Sequence, residues 1–239
     1  MEGEEMSKYR LLITFVLVSL MASVPSKAQT CNGPGKARWP IKTSLAEGIS
    51  ANGPGQAISL DKLLALAAPP GVKDDDPQYQ DSRIPNFDNP LAVKEGDLVT
   101  TAGWLYLVAT EKDDCDYHIQ VSLQARTTTD KPQPGDDCII VEAPRPDFVS
   151  ASDLSTKVGE ARDYIKAKLL AGKEPSNTGS VMQKAVCVSV TGQLFYDDAH
   201  VEGGLRGKKG MSSHTLWELH PITAFTITPT SACPASGAQ

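Results

Sequence analysis

The chain has 239 residues, 40% hydrophobic and 22% charged, and this composition is typical of a globular protein rather than a disordered or fibrous one. Its formal net charge of -6 argues against bulk nucleic-acid binding, because phosphate binding depends on clustered Lys and Arg. The sequence contains no P-loop, dinucleotide fingerprint, nucleophile elbow, HExxH or CxxC motif. Most enzyme classes with a recognisable sequence signature are therefore excluded.

The N-terminus contains an apolar run over residues 11–24, which is shorter than the roughly 20 residues that a membrane-spanning helix needs. Ser26 and Ala28 then stand at the -3 and -1 positions of a small-residue cleavage site. We therefore predict a signal peptide over residues 1–28 and a secreted or periplasmic protein with no integral membrane span after cleavage. An uncleaved membrane anchor is the alternative.

All five cysteines follow the predicted signal peptide, and in an oxidising compartment this number favours two disulfides and one remaining thiol. Cys115 and Cys138 each begin a β-like run and are the best candidates for one bridge. Cys31 and Cys233 would then tie the two ends of the chain together. Cys187 lies inside an apolar run, and we expect it to be a buried free thiol because nothing near it in the sequence would activate it.

Residues 29–95 hold eight of the 17 prolines and are predicted to form a Pro/Gly-rich arm rather than a regular sheet. One short helix is predicted over the sequence LDKLLALAA, with Ser59 as its cap and Pro69 beyond its end. The leucines of this helix share one face. Because that face needs a partner, part of the arm is expected to pack on the domain that follows.

Residues 96–230 are predicted to form the main domain, followed by a tail over 231–239. Five strands are predicted, in the sequences LVTTAGWLYLVA, CDYHIQVSLQ, CIIVEAP, AVCVSVTGQLFY and HTLWELHPITAFTI. Gly103 and Gly192 lie inside two of them and indicate bulges or bends. Between the third and fourth strands, residues 153–171 place apolar side chains at helical spacing.

The order strand, strand, strand, helix, strand, strand resembles the OB-fold, a five-stranded Greek-key barrel. We therefore predict a mainly β protein, an OB-like five-stranded barrel with one helix between strands 3 and 4 and the N-terminal arm. A β-sandwich is the alternative, and it is favoured if Pro221 breaks the last strand.

Two acid–histidine pairs stand on predicted strands, Asp116 with His118 and Glu218 with His220. Residues two apart on a strand share a face, which suits metal ligation or a carboxylate-oriented imidazole. These four residues are the candidate metal ligands, and an ordinary hydrogen bond within each pair is the alternative. No cofactor is predicted, although the pairs leave a divalent metal open.

A glycine-rich basic loop over residues 198–214 precedes the last strand, and in an OB-like barrel this loop lies at the binding surface. We predict a ligand-binding surface from this loop and the polar face of the second and third strands. The candidate residues of this surface are Asp116, His118, Gln120, His200, Arg206, Lys208, Lys209 and His214. A solvated hairpin tip is the alternative for the glycine-rich part.

Five short segments together resemble motifs of uncharacterised secreted bacterial proteins. They are WPIKT at 39–43, DYH at 116–118, IVE at 140–142 with the prolines that follow, FYD at 195–197 with His200, and ELHP at 218–221. Their order agrees as well, while the basic loop over 201–213 departs from the pattern. The resemblance implies an exported bacterial domain and supplies no activity, substrate or site.

Two functions remain as hypotheses. The first is a non-enzymatic exported module that binds a small ligand or a cell-envelope partner. The second is a metal-assisted phosphoester hydrolase, in which the acid–histidine pairs supply ligands or the general base. In the second hypothesis Arg206, Lys208 or Lys209 would hold the anion.

Overall fold

The structure is a computed structural model that describes Cys31, Gly33 and residues 37–235. The predicted signal peptide lies outside these residues. The helices and strands in chain order are α1 (Trp39–Lys42), β1 (Gln56–Ala57), α2 (Leu60–Leu64), β2 (Leu98–Thr110), β3 (Tyr117–Ser122), β4 (Cys138–Ala143), α3 (Ser152–Leu169), β5 (Ser180–Val181), β6 (Cys187–Tyr196) and β7 (Trp217–Ile227). Among the described residues, no helix is long and apolar enough to span a bilayer.

The five long strands close into a barrel. β2 pairs with β3 and β3 with β4 in antiparallel fashion, β4 pairs with β7 in parallel, and β7 and β6 are antiparallel. The pairing of β6 with β2 closes the circle. The predicted mainly β, OB-like barrel is therefore confirmed, and closure rules out the β-sandwich. β7 continues through Pro221, which follows a cis peptide bond.

Two interior glycines allow the long strands to bend. β2 pairs with β6 as far as Trp104 and with β3 from Trp104 onward, so the strand changes partner beside Gly103. A Cβ atom on Gly103 would lie 2.6 Å from the side chains of Leu60 and Val121. At Gly192 the register between β6 and β7 shifts. The glycines thus stand at the irregularities that their positions in the sequence predict.

The barrel interior is apolar and continues into the helices packed on it. α3 buries four apolar side chains of its predicted face, namely Leu154, Val158, Ala161 and Ile165. The arm contributes α2, whose Leu60 and Leu63 are buried in the same core. The arm and the barrel therefore share one hydrophobic core.

The disulfides join Cys31 to Cys115 and Cys187 to Cys233, and Cys138 is the free cysteine among the described residues. The predicted Cys115–Cys138 and Cys31–Cys233 bridges are wrong, as is the assignment of Cys187 as the free thiol. Cys138 pairs with the last residue of β3, whereas Cys115 precedes the first. Consecutive antiparallel strands begin at opposite ends of their hairpin, about 20 Å apart here at roughly 3.3 Å per residue.

Candidate functional site

The outer face of β3, β4 and β7 carries a row of polar side chains that are buried. His118 pairs with Glu142 across β3 and β4, and the parallel register of β4 and β7 brings Glu142 beside His220. None of the three exposes a tenth of its surface. Asp116 and Glu218 lie on either side of the His220 ring and are also buried. We call these five residues the outer-face cluster.

The loop between β6 and β7 covers this face. The side-chain oxygen of Gln120 accepts a hydrogen bond from the backbone N–H of Lys208 at 2.7 Å, and its amide donates to the carbonyl of Met211 at 3.2 Å. Arg206 of the same loop donates to Glu218. The polar face of β3, which its alternating sequence predicts to be open to a ligand, is therefore occupied by the protein's own loop.

His220 stands at the centre of the deeper part of the cluster. Its Nε2 lies 3.3 Å from Asp116 Oδ2, and its Nδ1 lies 3.1 Å from Glu142 Oε2 and 3.7 Å from Glu218 Oε2. Despite these distances, neither ring nitrogen of His220 and neither carboxylate oxygen of Asp116 has a hydrogen-bond partner within the described structure. Several buried polar atoms thus converge without hydrogen bonds.

A second group overlaps the first at Glu142. His118 Nδ1 lies 3.2 Å from Glu142 Oε1 and 3.3 Å from Glu111 Oε1. Glu142 therefore presents one oxygen to His118 and the other to His220. Glu142 is not among the predicted ligands, because its place opposite His118 depends on how β3 and β4 pair.

Positive charge reaches the cluster from α1. Lys42 Nζ lies 5.3 Å from the ring centre of Phe195. Burial alone would lower the pKa of Lys42, but the nearby carboxylates of Asp197, Glu142 and Glu218 raise it above its usual value. Lys42 therefore remains protonated, and the sequence offers no local signal for its role because the arm is remote in the chain.

The imidazole and the carboxylates favour each other's charged forms. Burial alone would lower the pKa of His220, but Asp116, Glu142 and Glu218 raise it well above its usual value. Burial would likewise raise the pKa of Glu142, but His118 and His220 hold it well below its usual value. A protonated His220 and a bound cation are therefore two ways of balancing the same negative charge.

The other predicted site residues divide between the cluster's margin and more distant positions. His200 is half-exposed, and its Nδ1 lies 2.6 Å from Asp197 Oδ2 beside the cluster. His214 lies 3.2 Å from Asp137, near the start of β4, and does not join Asp116 and His118 as predicted. Lys209 has an exposed side chain. The predicted surface residues therefore lie at opposite ends of the β3–β4 hairpin and do not form one surface.

All five segments of the resemblance place a residue at or beside the outer-face cluster. WPIKT supplies Lys42, DYH supplies His118, IVE supplies Glu142, FYD supplies Asp197 and ELHP supplies His220. Comparison with protein-family models, curated proteins and solved structures found no match. What this site does is therefore inferred from its own side chains.

The cluster has the ligand types and spacing of a metal site. One ligand atom from each of Asp116, Glu142 and His220 lies within 4.8 Å of the other two. In a tetrahedral zinc site, with bonds of about 2.0–2.1 Å, neighbouring ligand atoms stand about 3.3 Å apart. The 3.3 Å between Asp116 Oδ2 and His220 Nε2 has this length, whereas Glu142 Oε2 faces the other ring nitrogen, Nδ1, at 3.1 Å.

Proposed function

We propose that this protein is an exported OB-like module that binds a divalent metal ion through Asp116, Glu142 and His220. The observation that carries the proposal is the group of buried polar atoms on Asp116 and His220 that lack hydrogen-bond partners among the described residues. These atoms lie within ion-pair distance of one another, at 3.1–3.3 Å, but do not form well-directed hydrogen bonds, and buried charged groups without such bonds are costly. A cation ligated by a carboxylate oxygen and a neutral imidazole nitrogen removes much of this cost.

The donor types select the class of cation. Calcium and magnesium prefer sites made of oxygen atoms, whereas imidazole suits zinc and other first-row divalent ions. A site that combines His220 with Asp116 and Glu142 should therefore bind Zn²⁺ in preference to Ca²⁺. Glu218, whose Oε2 is buried without a hydrogen-bond partner in the described part of the chain, can assist.

Export forms part of the same proposal. Disulfides persist in oxidising compartments and are rare in the cytosol of most organisms. The two bridges, Cys31–Cys115 and Cys187–Cys233, support a secreted or periplasmic location. The sequence pattern over residues 1–28 supports the same location independently.

The phosphoester hydrolase would use the same ligands but has less support. Arg206 is paired with Glu218, and Lys208 Nζ lies 2.8 Å from Glu111 Oε1. Cations that already neutralise carboxylates are poor anion holders. We therefore favour binding over catalysis. A zinc-dependent phosphodiesterase activity that is lost in Asp116→Asn would reverse this preference.

The direct test counts bound metal on the purified, disulfide-intact protein. The protein is stripped with a chelator, dialysed against Zn²⁺, passed through a desalting column and measured by elemental mass spectrometry. We expect stoichiometric zinc in the wild type and a loss in Asp116→Asn and His220→Gln. His214→Gln is the matched control, because it removes another imidazole that lies beside a carboxylate, that of Asp137.

A thermal-shift measurement on the wild type gives a second test that does not depend on whether the variants fold. Zinc at about a hundred times its Kd should stabilise the wild type by about 2.7 kcal/mol. At about 2–4 °C per kcal/mol, the melting temperature should rise by roughly 5–10 °C. A wild-type protein that retains no first-row divalent ion and shows no thermal shift would refute the proposal.

A further inference from the structure

We propose a second cation position, formed by Glu111, His118 and Glu142, directly beside the first and resting on the proposed metal-binding function. One ligand atom from each of these residues lies within 4.8 Å of the other two. An imidazole and two carboxylates again select a first-row divalent ion such as Zn²⁺. The two positions together would make a two-metal centre.

His118 is hydrogen-bonded to Glu142, and a second carboxylate lies close to the same ring nitrogen. Its Nδ1 faces Glu142 Oε1 at 3.2 Å and Glu111 Oε1 at 3.3 Å. One ring nitrogen carries at most one proton, so it cannot donate fully to two carboxylates. Its Nε2, on the other side of the ring, is buried and does not face these carboxylates. A cation can contact the imidazole and both carboxylates at once.

Glu142 couples the two positions. Its Oε1 faces His118 and its Oε2 faces His220, each within 3.2 Å. One carboxylate thus supplies negative charge to both ions, and an ion on either side depends on it. Removal of Glu142 should therefore weaken both positions, whereas removal of either histidine should affect mainly its own.

The second position is the shallower one. The Glu111 side chain is 35% exposed, whereas those of His220 and Asp116 have no exposed surface. Lys208 of the covering loop already places an ammonium 2.8 Å from Glu111 Oε1. This ammonium stands where an incoming ion would bind, so Lys208 should compete with the shallow ion.

Isothermal titration with Zn²⁺, combined with metal counting, tests the second position. We expect two ions per chain in the wild type and in the control His214→Gln. His118→Gln and His220→Gln should each retain one ion, and Glu142→Gln should weaken both by at least roughly tenfold.

Lys208→Gln keeps the test decisive if the buried variants do not fold, because Lys208 lies on a partly exposed loop. Removal of its ammonium should strengthen the shallow ion by roughly tenfold and leave the deep ion unchanged. A wild type with one ion that survives in His118→Gln and Glu111→Gln would overturn the second position and leave the proposed function intact. A wild type with no ion would overturn both.

Discussion

The inner and outer faces of β3, β4 and β7 are both buried, yet they are built from opposite chemistry. Ile119 and Leu219 lie in the core of the barrel, while their chain neighbours His118 and His220 lie on the outer face. Inside, burial stabilises because apolar surface leaves water, at about 25 cal/mol per Å². Outside, burial costs free energy unless each polar group finds a partner.

Because the two faces are stabilised by different forces, we expect their stabilities to be independent. The stability of the inner face depends on how well its apolar side chains fill the available space, and it requires no ion. The outer face needs a cover, which the β6–β7 loop provides, and counter-charges, which Arg206 and Lys42 supply. Substitutions on the inner face should change stability alone, whereas those on the outer face should change both stability and metal binding.

We expect the largest loss of stability when Arg206, the main positive charge on the outer face, is replaced. Arg206 pairs with Asp197 and Glu218, and all three side chains are nearly buried. Arg206→Met leaves both carboxylates without this partner and should lower the free energy of unfolding by about 3–5 kcal/mol in urea denaturation. Arg206→Met/Glu218→Gln should recover part of this loss. A loss below about 1 kcal/mol would mean that water solvates these charges.

On the inner face, Leu219→Ala should cost about 2–5 kcal/mol, because the fully buried side chain leaves a cavity. The same urea titration measures this loss. Zinc content should remain that of the wild type, although the substitution adjoins His220. A variant that folds but loses its zinc would show that the two faces are not independent.

Removing each of the two disulfides in turn distinguishes an effect on stability from an effect on metal binding. The disulfides close loops with sequence separations of 84 and 46 residues, so each should contribute about 2–4 kcal/mol. Cys31→Ser/Cys115→Ser loosens the chain directly before Asp116 and should weaken zinc binding. Cys187→Ser/Cys233→Ser should lower stability with zinc affinity retained. Equal zinc affinities in the two variants would show that the Cys31–Cys115 disulfide does not influence metal binding by the cluster.

The smallest effect concerns Asp198, which lies beside the cluster. Burial raises the pKa of Asp198 to about 6, so the folded protein holds this proton more tightly than the unfolded chain. Its contribution to stability therefore decreases as the pH rises from about 4 to about 6. Asp198→Asn can still accept the hydrogen bond from the Asp76 N–H.

We therefore expect Asp198→Asn to be more stable than the wild type by about 1 kcal/mol near pH 8, with no gain near pH 4. Urea denaturation of both proteins across this pH range measures the difference, in which the contributions of other titrating groups cancel. A wild type that is the more stable protein near pH 8 would contradict the prediction.

Four of the five residues of the outer-face cluster could be predicted from sequence. Asp116, His118, Glu218 and His220 were found because a two-residue spacing on a strand places side chains on one face. Glu142 was not found, because its position between the two histidines depends on which strands are neighbours. Local spacing carries no information about strand neighbours.

Local sequence patterns predict the strands, the apolar face of α3 and the bends at Gly103 and Gly192, because these depend on the periodicity and chemistry of adjacent residues. Local patterns do not predict the cysteine pairing, the burial of the polar face of β3 or the position of Lys42 beside the cluster. Each of these depends on strand register and chain direction between residues that are far apart in sequence. Such contacts form where the closed barrel brings its strands together, and no local pattern encodes them.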